Sequence, residues 1–189
     1  MDIEPVTPLA EPESKKNREF WKQLLELLET LLLALILYFA IDAVFARVRV
    51  ENISMQPTLY QGDVLVVNKL AYKFGKFQTG DIVVFHNPNN EVEDYIKRVI
   101  GAPGDTVSVH NGQVSVNGVV LSERYIAAAP NYEGDWVVSA DSIFVLGDNR
   151  NQSSDSHEWG FVPIRDVVGK ALVIYWPPSA MKFITDPYK

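Results

Sequence analysis

Cysteine is absent from the 189-residue chain, and with it go disulfides, thiol catalysis and thiolate metal sites. Histidine is scarce. His86, His110 and His157 stand far apart in sequence, so a zinc site is not expected. Bases are outnumbered by acids, 17 to 24, for a net charge of −7. No lysine- and arginine-rich stripe is present to neutralise a phosphate backbone, which argues against a nucleic-acid partner. No repeat recurs at solenoid period. Beyond residue 47 no ten-residue window has the spacing of an amphipathic helix. The length suits one domain with a core, plus an appendage.

Glycine and proline are also missing from one long stretch, "FWKQLLELLETLLLALILYFAIDAVFA", which follows a polar tail (residues 1–22) with prolines at 5, 8 and 12. The leucine-rich stretch is predicted to be a helix, with residues 23–46 crossing a membrane. Its uncharged run, Thr30 to Ile41, is 12 residues, a length that also suits a core helix or a signal-peptide apolar region, and accepting Asp42 extends it to 17 at Ala46, the lower limit of the ~17–25 needed for a span. Glu26, Glu29 and Asp42 fall near the ends, where a carboxylate reaches the interface at lower cost. Val44-Phe45-Ala46 would also suit a signal-peptide cut, but a tail with five acids (Asp2, Glu4, Glu11, Glu13, Glu19) is a poor signal-peptide start. Lys15, Lys16, Arg18 and Lys22 precede the span and only Arg47 and Arg49 closely follow it. The positive-inside rule then places the N-terminus in the cytoplasm and residues 47–189 outside.

From residue 47 the character changes. "RVRVEN", "DVLVVNKLAY", "DIVVFHN", "DYIKRVIG", "DTVSVHNGQVSVNGVVL", "SIFVLGDN" and "DVVGKALVIYW" are short β-branched runs punctuated by turn residues. They predict a mainly β domain, a sandwich or coiled-sheet barrel rather than βαβ units. Asn111-Gly112 and Asn117-Gly118 are hairpin turn signals. They fall in a stretch, residues 105–142, that reads as an inserted hairpin region.

Three places could carry chemistry. In "DYIKRVIG", strand alternation sends Tyr95, Lys97 and Val99 one way and Ile96, Arg98 and Ile100 the other. Either way a basic side chain shares a face with apolar neighbours. A lysine on a strand ordinarily snorkels to solvent; one held among apolar groups loses its charge and becomes a competent base. In "NISMQPTL", the same alternation puts Val48, Val50, Asn52 and Ser54 on one face. A serine ahead of Pro57 is ordinarily a turn residue. A base within reach would make it a nucleophile, and serine–lysine is a known alternative to the histidine triad. The polar run "GDNRNQSSDS" follows the strand "SIFVL" and suits a turn network, yet its Ser153 could orient the lysine amine.

Taken together, "SMQPTL" at 54–59, "GDIVVF" at 80–85, "DYIKRVIGAPGD" at 94–105 and "GDNRNQSSDSHEWGFVP" at 147–163 resemble the bacterial type I signal peptidases. These are membrane-anchored serine proteases that remove signal peptides from exported proteins. The likeness runs from about Thr30 to Pro177 and is to the compact, single-span form. It implies a coiled antiparallel β-sheet catalytic domain behind one N-terminal transmembrane helix. It also implies Ser54 as nucleophile, Lys97 as general base, Ser153 steadying the lysine and Asp155 supporting that network. Pockets for small side chains would be lined by Val48, Val50, Met55, Leu59, Val84, Tyr95 and Ile96, and Arg98 and Asp148 would form a structural ion pair. No metal or cofactor is implied. The implied partners are signal-peptide-bearing preproteins, membrane lipid and a nearby secretion translocon, at the plasma membrane.

Two positions depart from the pattern. Asn52 stands where serine or threonine often helps hold the oxyanion, a role an asparagine amide can also fill. His157 stands where arginine is frequent. Two competing functions are weighed against the protease. A self-cleaving regulator with the same serine–lysine pair would be expected to carry a basic DNA-binding region, which is not present. A membrane-anchored β-domain that only binds partners would have no reason to place Ser54, Lys97 and Ser153 in these contexts.

Overall fold

A computed structural model describes residues 13–87 and 90–188. They divide into two units, one ending at Asp42 and the other Ala43–Lys189. The described part of the first lies in one helix, α1 (Glu13–Val44), whose last two residues belong to the second unit and within which Asn17–Val44, 28 residues, is long and apolar enough to cross a membrane. Its leucines stay exposed, Leu33 and Leu37 among them. The expectation of a polar tail at 1–22 falls partly on residues 1–12, outside the described residues. From Glu13 that tail is already helical.

The helix stops two residues short of the expected boundary at 46. Phe45 and Ala46 instead open strand β1 (Phe45–Arg49), paired with Asn68 and Val67 of β2 (Val64–Asn68). Alternation in Phe-Ala-Arg-Val-Arg suits a strand with one face inward, and the ladder to β2 outweighs helix propagation there.

The second unit is mainly β and antiparallel at every pairing among the described residues. After β2 come a one-turn helix, α2 (Ala71–Phe74), and the strands β3 (Ile82–Asn87) and β4 (Asn90–Gly101). Next are β5 (Thr106–His110), β6 (Gln113–Val116), β7 (Val119–Val120) and β8 (Gly134–Val137). The chain closes with β9 (Ser142–Leu146), α3 (Ser156–Trp159), β10 (Val162–Pro163), β11 (Val167–Trp176) and β12 (Lys182–Phe183). The larger sheet runs β1-β2-β11-β3-β4-β9-β10, with β12 beside β11; the smaller runs β7-β6-β5-β8. The smaller sheet is thus built wholly from the stretch between β4 and β9. Both Asn-Gly pairs make its hairpins. Asn111 and Gly112 have φ of 51° and 74°, Asn117 and Gly118 of 53° and 79°, the two positive values that a type I′ turn requires.

Alternation along β3 distributes the core. Ile82 and Val84 enter one apolar cluster with Val50, Met55, Leu59 and Ile96. Val83 and Phe85 enter another with Val99, Ile143 and Val145. A third cluster, around Val107, Val109, Phe144 and Ile100, lies beneath the smaller sheet. β4 contributes to all three, because it sits inside the larger sheet between β3 and β9. That placement buries both Lys97 and Arg98, each 2 % exposed. The alternation argument sends one basic side chain to each face, and at these two positions both faces are covered.

Candidate active site

Ser54 sits on a loop between β1 and β2. The loop is closed at its base by Val50 N–H donating to Asp63 O (2.8 Å) and Gly62 N–H to Val50 O (2.9 Å). Met55 and Leu59 are buried in the adjoining core and hold the loop down on either side of Pro57. Strand β1 ends at Arg49, so the alternation read from the sequence does not extend to Asn52 and Ser54. They are placed by the turn, in which Gln56 N–H reaches Ile53 O (3.1 Å) and Leu59 N–H reaches Met55 O (2.9 Å).

β4 brings Lys97 to this loop across 43 residues of sequence, with Nζ donating to Ser54 Oγ at 2.8 Å. Burial lowers the Lys97 pKa from 10.5 to about 8, against the carboxylates of Asp155 and Asp148, which favour the ammonium. Desolvation wins because the low-dielectric surroundings penalise the charged form more than two nearby acids reward it. The Tyr95 ring lies 5.1 Å from Nζ.

The loop after β9 supplies the third wall. Asn149 N–H donates to Ser54 O (3.0 Å), and its Nδ2 donates to Ile53 O (3.2 Å), so one residue pins the backbone on both sides of the Ile53–Ser54 bond. Gly147 makes the approach possible. A Cβ there would overlap Ser153 Oγ and come within 2.5 Å of Ser54 O. Asp155 is fully buried and takes Gly147 N–H on Oδ2 (2.9 Å) and His157 on Oδ1 (2.7 Å). Ser153 is also buried, but its Oγ has no hydrogen-bond partner among the described residues. Ser153 is therefore brought beside Ser54 without being bonded to Lys97.

Arg98 and Asp148 form a bidentate pair, Nε to Oδ1 at 2.8 Å and Nη2 to Oδ2 at 2.7 Å. The remaining guanidinium edge donates to Gly80 O (2.7 Å). This pair ties β4 to the loop after β9 directly behind Lys97.

Asn52 points its amide oxygen at the serine, accepting from Ser54 Oγ at 2.7 Å and Ser54 N–H at 3.2 Å. Beside it opens a cleft of about 430 Å³, floored by Val48, Val50, Met55, Tyr95 and Ile96 and edged by Arg47, Arg49, Glu93 and Asp94. Asn52 and Tyr95 also border a smaller hollow of about 190 Å³ that contains Ser54 and Lys97. Leu59 and Val84, expected among the pocket residues, line neither hollow; both are fully buried in the core cluster beneath.

Asn149 and Gly147 went unassigned in the sequence reading, although both stand in the "GDN" box. Gly147 works by having no side chain and Asn149 by bonding backbone carbonyls 95 residues or more away, so neither leaves a local chemical signature. Arg150 was also passed over. It is 1 % exposed and gripped by both oxygens of Glu123 at 2.6 and 2.7 Å. That partner comes from the segment between β7 and β8, and nothing local points to it.

A serine hydroxyl bonded to a buried lysine with a lowered pKa has the makeup of a serine hydrolase site with lysine in the place of histidine. Comparison with known families gives the particular one. Residues 24–176 match the family described as signal peptidase, peptidase S26, and the chain belongs to that family of serine peptidases. It is 42 % identical over 193 residues to the signal peptidase I of Leptolyngbya laminosa, covering 97 % of this chain and 94 % of that one. It is 45 % identical over 170 residues to the probable signal peptidase I-2 of Synechocystis sp., covering 86 % and 78 %. With the signal peptidase I of Bacillus caldolyticus the identity is 43 % over 155 residues, covering 74 % and 84 %.

Proposed function

We propose that the chain is a membrane-anchored endopeptidase that removes N-terminal signal peptides after a small residue, through an acyl-enzyme on Ser54 with Lys97 as general base. The observation that carries this is the 2.8 Å bond between Lys97 Nζ and Ser54 Oγ, made by an amine whose pKa is lowered to about 8. Neutral Lys97 takes the Ser54 hydroxyl proton as Oγ attacks the scissile carbonyl. The lysine then gives that proton to the leaving amine. It next deprotonates the water that hydrolyses the acyl-enzyme, and the proton returns to Ser54 Oγ as the acid leaves.

β1 lies at an edge of the larger sheet, so its free backbone edge suits an extended substrate segment added as a strand. The apolar floor of the cleft beside Ser54 suits short aliphatic side chains on that segment. α1 serves as the anchor, with its N-terminus cytoplasmic and Ala43–Lys189 outside, against the plasma membrane and near the translocon that delivers preproteins. Holding enzyme and substrate at one depth in the bilayer raises their effective concentration.

The test is a pH profile with a signal-peptide-bearing substrate. Only the neutral amine accepts a proton, and its fraction grows as pH rises, so kcat/KM is expected to climb through about pH 8 and then level off. An ascending limb near 10, the range of an unperturbed lysine, refutes the desolvated base.

Asn52 completes the site as an oxyanion donor beside the Ser54 N–H. With its amide oxygen turned to Ser54, that role requires a half-turn of the amide when substrate arrives, exchanging Oδ1 for Nδ2 and freeing the Ser54 N–H. Asn52→Ala is then expected to lower kcat by ~10²–10³ with KM nearly unchanged, and Asn52→Ser to recover part of the loss. A fall below about tenfold in the alanine variant leaves Asn52 a turn residue.

A further inference from the structure

We propose that His157 is a positioning residue for the Ser54–Lys97 pair, acting through Asp155: its ring holds and counterbalances the buried carboxylate that would otherwise keep Lys97 protonated. The inference rests on the reading of Lys97 as the base.

The geometry is a short chain of contacts. His157 Nδ1 meets Asp155 Oδ1 at 2.7 Å, and the His157 backbone N–H reaches the same oxygen at 3.3 Å. A carboxylate oxygen only accepts, so the ring proton lies on Nδ1 and the imidazole donates. Asp155 caps α3 and is fully buried, while the His157 side chain is 15 % exposed. The ring is kept in orientation by Tyr132, stacked on it at 3.8 Å with the planes 7° apart. Tyr132 arrives from the segment before β8, so the smaller sheet's stretch of chain sets the angle of a side chain that reaches the catalytic loop.

The electrostatic link is on the far side of Asp155. Its negative charge is the larger of the two that favour the ammonium of Lys97, the other being Asp148. Asp148 is already matched by Arg98. Among the described residues, Asp155 has no guanidinium or ammonium bonded to it; its donors are Gly147 N–H and His157. Beyond these backbone N–H groups, the imidazole is the side chain that offsets the field of Asp155 at Lys97. The other charged or titratable groups facing the ring are Glu158 of α3, whose Oε1 lies 3.9 Å from Nε2, and Tyr132. Arg150 lines a separate hollow with Tyr132, Ser153 and His157, but its guanidinium is taken up by Glu123 and Gly147 O. Facing Lys97 itself are Ser54, Tyr95, Asp148 and Asp155.

Without the ring, an uncompensated Asp155 stabilises the ammonium and fewer enzyme molecules hold a neutral lysine at a given pH. His157→Phe keeps an aromatic face for Tyr132 but offers no donor. His157→Gln restores a neutral donor. Two quantities are read on the full-length protein in detergent micelles: the ascending limb of kcat/KM, and the titration of Lys97 followed by the 13C shift of its labelled Cε. Both are expected to move to higher pH by about half a unit or more in the phenylalanine variant, and the glutamine variant to lie between it and the parent. A role in packing alone lowers the melting temperature or kcat without moving either midpoint. Coincident midpoints in parent and both variants overturn the proposal. A parent limb that does not track the Lys97 titration refutes the base assignment instead, so the two failures are distinct. In an Asp155→Asn background the phenylalanine substitution is expected to shift nothing further, because the charge it exposes is gone. A persisting shift also overturns the route through Asp155.

Discussion

Lys97→Arg is expected to abolish cleavage as completely as Lys97→Ala or Ser54→Ala, with a loss of kcat/KM of ~10⁴-fold or more for each. The arginine variant is the informative one. It keeps a long basic side chain on β4, but a guanidinium stays protonated at every pH the protein survives and cannot take a proton from Ser54. Position 97 is also 2 % exposed, so the larger head group has no water to escape into. All three variants are to be compared with the parent by single-turnover cleavage and by melting temperature, since a folded, inactive protein is the expected result. Cleavage by Lys97→Arg at more than a hundredth of the parent rate, a limit set about two orders above the expected residue, sinks the general-base assignment.

Asp148→Ala is expected to have the largest effect on stability, about 3–5 kcal/mol. The pair with Arg98 is almost fully buried, at 0 % and 3 % side-chain exposure. Removing the carboxylate leaves a desolvated cation with Gly80 O at 2.7 Å, a weak contact to Thr58 Oγ1 at 3.4 Å and the face of the Tyr125 ring at 4.0 Å. Arg98 cannot shed its charge as a lysine would. Deleting one partner of a buried pair therefore costs more than the pair itself contributes, and an Arg98→Met, Asp148→Leu double variant is expected to regain most of the loss. Chemical denaturation of the full-length protein measures both. If the single variant loses less than about 1 kcal/mol, the usual worth of an exposed pair, Arg98 is reaching solvent and β4 is not as well covered as described. The substitution also removes one of the two charges that favour the Lys97 ammonium. In whatever fraction stays folded, the ascending limb of the pH profile moves to lower pH.

The groups proposed to carry the chemistry are legible as residue types in order along the chain. Alone, Ser54 reads as a turn serine and Lys97 as a strand lysine; four motifs in order carry the family resemblance that implies a nucleophile, a base and, at Asp148 and Asp155, their supports. The Asn-Gly hairpins were legible for a local reason: the positive φ values at Asn111, Gly112, Asn117 and Gly118 are preferences of those two residues and need no tertiary partner. The apolar helix and the β runs after it follow likewise from period and composition.

What local patterns did not settle was decided by coverage and by pairing. Whether Lys97 snorkels or loses its proton depends on the order of strands in the larger sheet. β4 lies between β3 and β9, and no window around residue 97 contains that fact. The end of α1 at Val44 was set by β2, some 20 residues away, competing for Phe45 and Ala46. The resemblance implies Leu59 and Val84 as pocket residues, and the structure buries both in the core, since exposure is a property of the packed whole. The uses of Asn149, Gly147 and Glu123 likewise rest on backbone groups or partners far off in sequence. Amino-acid order determined which groups this chain could bring to a reaction. Tertiary burial decided their charge and contacts, because desolvation and hydrogen bonding act across space and not along the chain.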